Sequence, residues 1–414
     1  MTRVPAGRLA VPDAHLQTGT AAYRQASGAL SVAGFCAFAM LYVAQGTLPA
    51  VSHDFGVSPA TASLTLSLTT LPLAVAVVVA ATASERIGRR GVLVASLLAA
   101  AVCTLAAAAS PNLATLLALR VLTGLALAGL PAVAMAYIAE EVEGRSLGRA
   151  MGIYISATGL GGMVGRLAGG LVSSVLSWQA AMALVGGVSL LAVLWVARRL
   201  APSRHFQPQP ETLGRGLRAA AGHLRDPVLL SLCTCGFVLM GAMVAYFNYL
   251  QYRLQAPPFG LSASLTAWVF VLYLAGTVSA NWLGRLTERH NRRTVLLAGM
   301  GIMAVGVLVT LPDVLAITIL GTAVVTFGFF GAHSVASGWV NGQAIDRRAQ
   351  ASALYLLFYH LGSSIVGFSG GLLFVGFGWP GVVALVGPLL GGGIVVALFL
   401  PSGRGMVPAA AREA

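Results

Sequence analysis

Ser84-Glu85-Arg86-Ile87-Gly88-Arg89-Arg90 and Thr287-Glu288-Arg289-His290-Asn291-Arg292-Arg293 are two versions of one short polar stretch, 203 positions apart. Each interrupts a long apolar run. Gly88 and Asn291 share a position, and these residue types most readily take a left-handed turn, so both copies read as tight turns between helices. The repeat extends beyond the turn. At an offset of 201, Pro111 recurs as Pro312, Ala150 as Ala351, Tyr154 as Tyr355, Gly161 as Gly362, Gly169 and Gly170 as Gly370 and Gly371, and Trp178 as Trp379. The chain therefore reads as two related halves.

The composition says what the halves are made of. Of 414 residues, 57% are hydrophobic and 9% charged, with a mean hydropathy of +0.84. A soluble domain carries about 25% charged residues, and a disordered chain needs high charge with few apolar residues. Both classes are excluded. A membrane-crossing helix takes about 20 apolar residues, and twelve such runs are present: 29–50, 61–82, 91–110, 113–138, 150–174, 178–197, 228–250, 263–283, 294–311, 313–340, 350–375 and 380–401. The expected fold is an all-α polytopic membrane protein. Its expected parts are a tail 1–28, a six-helix half 29–197, a connector 198–227 with Pro202, Pro208, Pro210 and Pro227, a six-helix half 228–401 and a tail 402–414. An even number of spans separates equivalent residues, so the halves run in parallel, as in one large class of transporters.

The net charge of +13 comes entirely from arginine, since the chain has no lysine. The arginines gather in alternate breaks: Arg86, Arg89, Arg90; Arg145, Arg149; Arg198 to Arg225; Arg285, Arg289, Arg292, Arg293; Arg347, Arg348. Arg253 is the exception. This alternation is the positive-inside pattern of cytoplasmic loops, which places both termini in the cytoplasm. The absence of lysine beside abundant Ala, Arg and Gly points to a GC-rich bacterial genome, and so to a bacterial inner membrane. It assigns the charge to topology and lipid headgroups, leaving no role for nucleic acid. Cys36, Cys103, Cys233 and Cys235 lie in apolar runs without disulfide or metal-binding spacing. The first residues lack the pattern of a cleaved signal peptide.

On these residues the chain resembles the major facilitator superfamily along its whole length. Ala81 to Arg90 is similar to the family's loop G-x-L-A-D-R-x-G-R-R, with Ala81 for glycine and Glu85 for aspartate; Gly284 to Arg293 is the second copy. The resemblance implies a cytoplasmic charge cluster, Glu85, Arg86, Arg89, Arg90, Glu288, Arg289 and Arg292, that latches the halves in the outward-facing state. Gly152, Gly161, Gly165, Gly169 and Gly170 match the family's antiporter motif G-x8-G-x3-G-P-x2-G-G, with Arg166 where proline stands. Glycines at this spacing let a neighbouring helix approach closely. The family associates the motif with exporters. Met151 to Gly170, together with Tyr246 to Ser262, is similar to the YnfM-like branch of efflux transporters. Arg120, Gly124 and Ala128 match R-x3-G-x3-G, whose arginine related antiporters tie to proton coupling.

The polar residues inside the spans are few, and such residues mark transport pathways. Arg120 lies ~10 Å below the outer face and Arg166 ~24 Å from the inner one. No carboxylate occupies the middle of a span: Asp54 and Asp313 are at outer ends, Glu140, Glu141 and Asp346 at inner ends. His360, ~15 Å from the inner end, and His333 are the buried titratable groups, and an imidazole titrates near physiological pH. With Arg120 they are the candidates for proton coupling. Tyr42, Gln45, Arg120, Arg166, Tyr246, Asn248, Trp268, Tyr355 and Tyr359 are the candidate cavity residues, with Tyr249 and Tyr273 beside them.

The expected activity is export of a small organic molecule across the inner membrane by proton antiport and alternating access. Two arginines without a buried acid favour a substrate with a carboxylate or other electronegative groups. A proton-coupled sugar or metabolite importer on the same fold, a lipid flippase and a membrane sensor are the alternatives. No nucleophile–base pair marks an enzyme, and the expectation is no metal and no cofactor, with the proton gradient as energy source. The expected partners are the substrate and membrane lipid, around a monomer.

Overall fold

A computed structural model describes residues 15–206, 214, 222–343 and 348–402. The other tail, connector and loop residues, Asp346 and Arg347 among them, lie outside the described residues. Span one is Ala21–Gly46, followed by a short helix Leu48–Asp54. Spans two and three are Pro59–Ile87 and Arg89–Ala108. Span four is built of Leu113–Leu127 and Pro131–Glu141. Spans five to seven are Gly144–Val175, Trp178–Arg199 and Pro227–Gln255. Span eight runs through Ala263–Ala267, a 3-10 turn Trp268–Leu272 and Tyr273–Arg289. Spans nine and ten are Arg292–Val309 and Leu315–Gln343, and Arg348–Leu398 supplies eleven and twelve. The break between these last two is at Gly378, whose φ of +62° needs a residue without Cβ, two positions ahead of Pro380.

Length and hydropathy alone mark ten membrane-crossing helices among the described residues. The count becomes twelve because Gln350–Leu398 crosses twice, and because Gly144–Val175 crosses although its three arginines lower its hydropathy. Spans one, two, seven and nine start earlier than their apolar runs because polar side chains cap them. Thr20, Ser58, Asn112, Ser177, Asp226, Ser262 and Asn291 each accept a main-chain N–H of the following first turn, a contact worth about 1 kcal/mol. Residues 21–28, expected in the tail, are therefore the first two turns of span one. Capping also corrects the expectation for Asn291. Gly88 has the left-handed φ of +91°, but Asn291 has φ −61° and uses its side chain to accept the Arg293 N–H.

Within each half one helix pair repeats. Gly161, Gly165 and Gly169 on successive turns of span five lie against the main chain of Phe35, Ala39 and Val43 in span one, where any Cβ would collide. In the second half Gly362 of span eleven lies on Phe237 of span seven in the same way. The tyrosines repeat too, with the Tyr154 ring filling the space over Gly34 and the Tyr355 ring that over Gly236. Gly152 faces open space and takes no part in this seam.

The halves meet across spans two and eleven and across span five and the first ten residues of span eight. The doubled glycines make both crossings possible. A Cβ on Gly170 would lie 2.6 Å from Ala267 Cβ, and one on Gly371 2.5 Å from Ala60 Cα. Both crossings are at the end of the bundle opposite the arginine-rich loops. All cross-half hydrogen bonds among the described residues lie there or near mid-depth: Gln45 Nε2 to Asn248 Oδ1, Gln251 Nε2 to the Gln45 carbonyl, Ser364 Oγ to the Ser67 carbonyl, and Thr70 Oγ1 with Ser364 Oγ. At the arginine-rich end the ion pairs between described residues, Arg89 with Glu85 and Glu140 and His205 with Glu141, do not join the halves. Among the described residues the bundle is closed at the far end and parted at the arginine-rich end.

Candidate functional site

Arg166 sits at the closed end, nine residues before the last residue of span five, or ~14 Å along the helix. Its Nε donates to Gln45 Oε1 at 2.6 Å and its Nη1 to the Gly162 carbonyl at 2.9 Å. Two rings flank the guanidinium, Tyr42 at 3.6 Å and Tyr273 at 4.6 Å from Cζ to ring centroid. Gln45 passes the chain of hydrogen bonds across the halves to Asn248 at 2.7 Å. The Asn248 Nδ2 has no partner although the residue is fully buried. One network therefore ties span five, span one and span seven at the roof of the parted space.

A ring-lined wall descends from that roof on the second half. Tyr273 meets Phe330 edge-on at 5.5 Å, Phe330 meets Phe329 at 5.0 Å, and Phe329 stacks on His333 at 5.8 Å. His333 Nδ1 shares a 2.8 Å hydrogen bond with the Tyr355 hydroxyl, and its ring lies 4.8 Å from Tyr359. Tyr359 in turn meets the His360 ring at 5.2 Å. His360 is 4% exposed, and its Nδ1 has no hydrogen-bond partner. Spans ten and eleven thus carry two imidazoles and two phenols in one patch, without a carboxylate.

Three expected cavity residues are elsewhere. Arg120 is fully buried, and its guanidinium donates to three main-chain carbonyls: Thr65 at 3.1 Å, Met40 at 3.1 Å and Leu41 at 2.8 Å. It pins span four to spans one and two, because buried donors take whatever acceptors are in reach. Tyr246 turns into the second half, sharing a 2.7 Å hydrogen bond with Thr322 Oγ1 and packing edge-on against Trp379. Trp268 is 55% exposed and outside the cluster. Phe329, Phe330 and Gln251 escaped the sequence reading, since nothing in their type or spacing separates them from ordinary packing residues.

The charge cluster at the arginine-rich end is centred on Arg89, which pairs with Glu85 at 2.8 Å and Glu140 at 2.6 Å and lies over the Phe206 ring. Arg90 donates to the Ala197 and Leu200 carbonyls. These contacts lie within the first half. Arg86, Glu288 and Arg289 are exposed, and Arg292 lies beside Gly342 at the end of span ten. Arg253, the one arginine out of pattern, is held at the far end by Asp313 and the carbonyls of Thr310 and Pro312.

Two parallel-related six-helix halves, joined at one end over a buried polar cluster and apart at the other, define a multi-pass membrane transporter. The family model of the Major Facilitator Superfamily matches residues 30–257 and 254–414, and the chain belongs to that superfamily. It is 45% identical over 386 residues to the uncharacterized MFS-type transporter YybF of Bacillus subtilis (strain 168), covering 93% of this chain and 95% of that one. It is 38% identical to the inner membrane transport protein YnfM of Escherichia coli (strain K12), covering 92% and 91%. A bacterial homologue of the human lysosomal transporter Spinster superposes with a TM-score of 0.70 at 16% identity, over 92% of this chain and 95% of that one, a likeness of fold.

Proposed function

We propose that this transporter exports a small organic molecule across the bacterial inner membrane in exchange for protons, with both termini in the cytoplasm. In that orientation the arginine-rich end is cytoplasmic, and the structure is the inward-facing member of an alternating-access pair. Substrate enters between the halves from the cytoplasm, rises along the aromatic wall and meets the roof formed by Arg166, Gln45 and Asn248. Exchange of the seam at the far end for contacts at the arginine-rich end, where Glu85, Arg89 and their counterparts sit, then opens the site outward. No cofactor is needed, the proton gradient supplying the energy to a monomer in lipid.

The observation that carries the proton half of this reading is the His333–Tyr355–Tyr359–His360 patch. His360 has a buried nitrogen with no protein partner, so it can take or release a proton without dismantling a hydrogen bond, near the depth where substrate moves. The fit of the span-five glycines to the exporter pattern supports the direction. The test is proton release in inverted membrane vesicles, followed with a pH-sensitive dye while a panel of anionic, neutral and cationic compounds is added. The expected result is that one compound releases protons with wild type and not with His360→Ala. Uphill uptake by whole cells on an inward proton gradient would instead make the protein an importer.

A further inference from the structure

Arg166 and Arg120 are both buried cations without an ion-pair partner among the described residues, yet their surroundings differ. Arg120 has an acceptor for each of its three nitrogens. Arg166 has acceptors for Nε and Nη1 only, and its Nη2 bonds to no described residue. A buried charge is retained at a cost unless something compensates it, and no acid occupies the middle of a span to do so.

We infer that Arg166 binds the carboxylate of the substrate, and that the substrate is a small aromatic monocarboxylate. The inference rests on the transport reading and names its substrate class. Four features carry it. The flanking Tyr42 and Tyr273 rings leave the in-plane edge at Nη2 as the approach to the guanidinium, and a planar carboxylate is the acceptor that fits a guanidinium edge. One unpaired cation matches one negative charge, whereas a phosphate dianion would leave a buried charge in excess. From Tyr273 of span eight, ring contacts lead through Phe330, Phe329 and His333 of span ten to Tyr359 of span eleven, a surface for an aromatic body with ring contacts of about 0.5–1.5 kcal/mol each. Finally, the site is one-sided. The repeat puts Gly367 in the place of Arg166 at the offset of 201, and Val244 in that of Tyr42 at the offset of 202 that pairs Gly34 with Gly236, so only the first half carries the charge.

The experiment is binding to the purified full-length protein in detergent, with no proton gradient, by titration calorimetry. The probes are benzoate and 1-naphthoate, their primary amides, the corresponding arylmethylammonium ions, and cyclohexanecarboxylate. The expected result is an aromatic carboxylate that binds at least tenfold more tightly than its amide, its cation and the alicyclic acid. In Arg166→Gln the carboxylate and amide should fall within twofold of each other; in Arg166→Lys, which keeps the charge and loses the fork, the carboxylate should weaken about tenfold. Should neither variant fold, the wild-type ratio of carboxylate to amide decides alone. Equal binding of acid and amide, preference for the cation, or no binding by either aromatic acid overturns the inference. Tight carboxylate binding without proton release would leave this site standing and remove the antiport reading instead. Proton release driven by a cation would do the reverse.

Discussion

Gly371→Ala should open the far end of the bundle. The new Cβ would stand 2.5 Å from Ala60 Cα and 2.7 Å from Ala60 Cβ, whereas carbon atoms pack at about 3.5–4.0 Å. Spans two and eleven must therefore move apart by about 1 Å in the closed state, at the overpacking penalty of about 1–3 kcal/mol. The same movement strains the Thr70–Ser364 and Ser364–Ser67 hydrogen bonds just below. In the state open at the far end the Ala60 surface is withdrawn, and the methyl group keeps only its contact with the Tyr249 hydroxyl of its own half, the flexible end of a side chain 2.5 Å away. The part of the penalty that comes from Ala60 acts on the equilibrium between the two states, a shift of up to about 5- to 150-fold, whereas the part from Tyr249 is common to both. Spin labels at Ser177 and Asp313, in far-end loops of opposite halves, would report it by double electron–electron resonance as a longer-distance population. Two controls separate gating from packing. Gly161→Ala collides with Phe35 inside the first half and should lower stability without changing that distance. Gly152→Ala, in open space, should change neither. An unaltered distance distribution in folded Gly371→Ala would refute the assignment of the doubled glycines to the gate.

Arg120→Met removes donors from three buried carbonyls and should destabilise the fold by ~2–4 kcal/mol, seen as a lower unfolding midpoint in detergent, with the ranking of ligand affinities in any surviving protein unchanged. Arg89→Ala frees Glu85 and Glu140, which are each about a quarter to a third exposed. That partial solvation limits the expected loss to ~1–3 kcal/mol, and a double-mutant cycle with Glu140→Ala should return a coupling of ~1 kcal/mol or more at low salt.

Much of this architecture was legible before any coordinates, for physical reasons. The bilayer forces ~20-residue apolar runs on the chain, and the repeated turn and glycines expose the two halves. Gly161, Gly165 and Gly169 could be assigned to a close helix contact because only glycine permits one. The fate of individual polar residues was far less legible. Arg120 and Arg166 look alike in sequence, each a lone arginine among small and apolar neighbours. What separates them is which carbonyls and rings the other helices present, and that depends on contacts 55 or more residues away. Tyr246 and Trp268 failed as cavity residues for the same reason, since a single sequence says how far along a helix a residue lies but only loosely which neighbour it faces. The relay from Arg166 through Gln45 to Asn248 spans both halves and leaves no local trace.

The repeat also explains how one small set of residues can serve both closure and binding. Gly169 and Gly370 press against the first helix of their own half, while Gly170 and Gly371, one position on, receive a helix of the other half. Consecutive residues on a helix point ~100° apart, so each pair joins an intra-half contact that stays fixed to a cross-half contact that must break in each cycle. Arg166 is one turn earlier on that helix, and Tyr42 holds it from the fixed side while Tyr273 holds it from the moving side. Opening the far end therefore pulls Tyr273 away from the guanidinium. A carboxylate held at Nη2 would lose its aromatic wall as the seam opens, so release on the outside and gate opening become one movement. Tyr273→Ala separates them. It should weaken binding of an aromatic acid by about tenfold, the value of one or two ring contacts, while leaving the Gly170 and Gly371 crossings able to close. Spin labels at Ser177 and Asp313 should then show the closed distance with affinity lost. Wild-type affinity in Tyr273→Ala would show that the second half contributes nothing to the site and that binding and gating are independent.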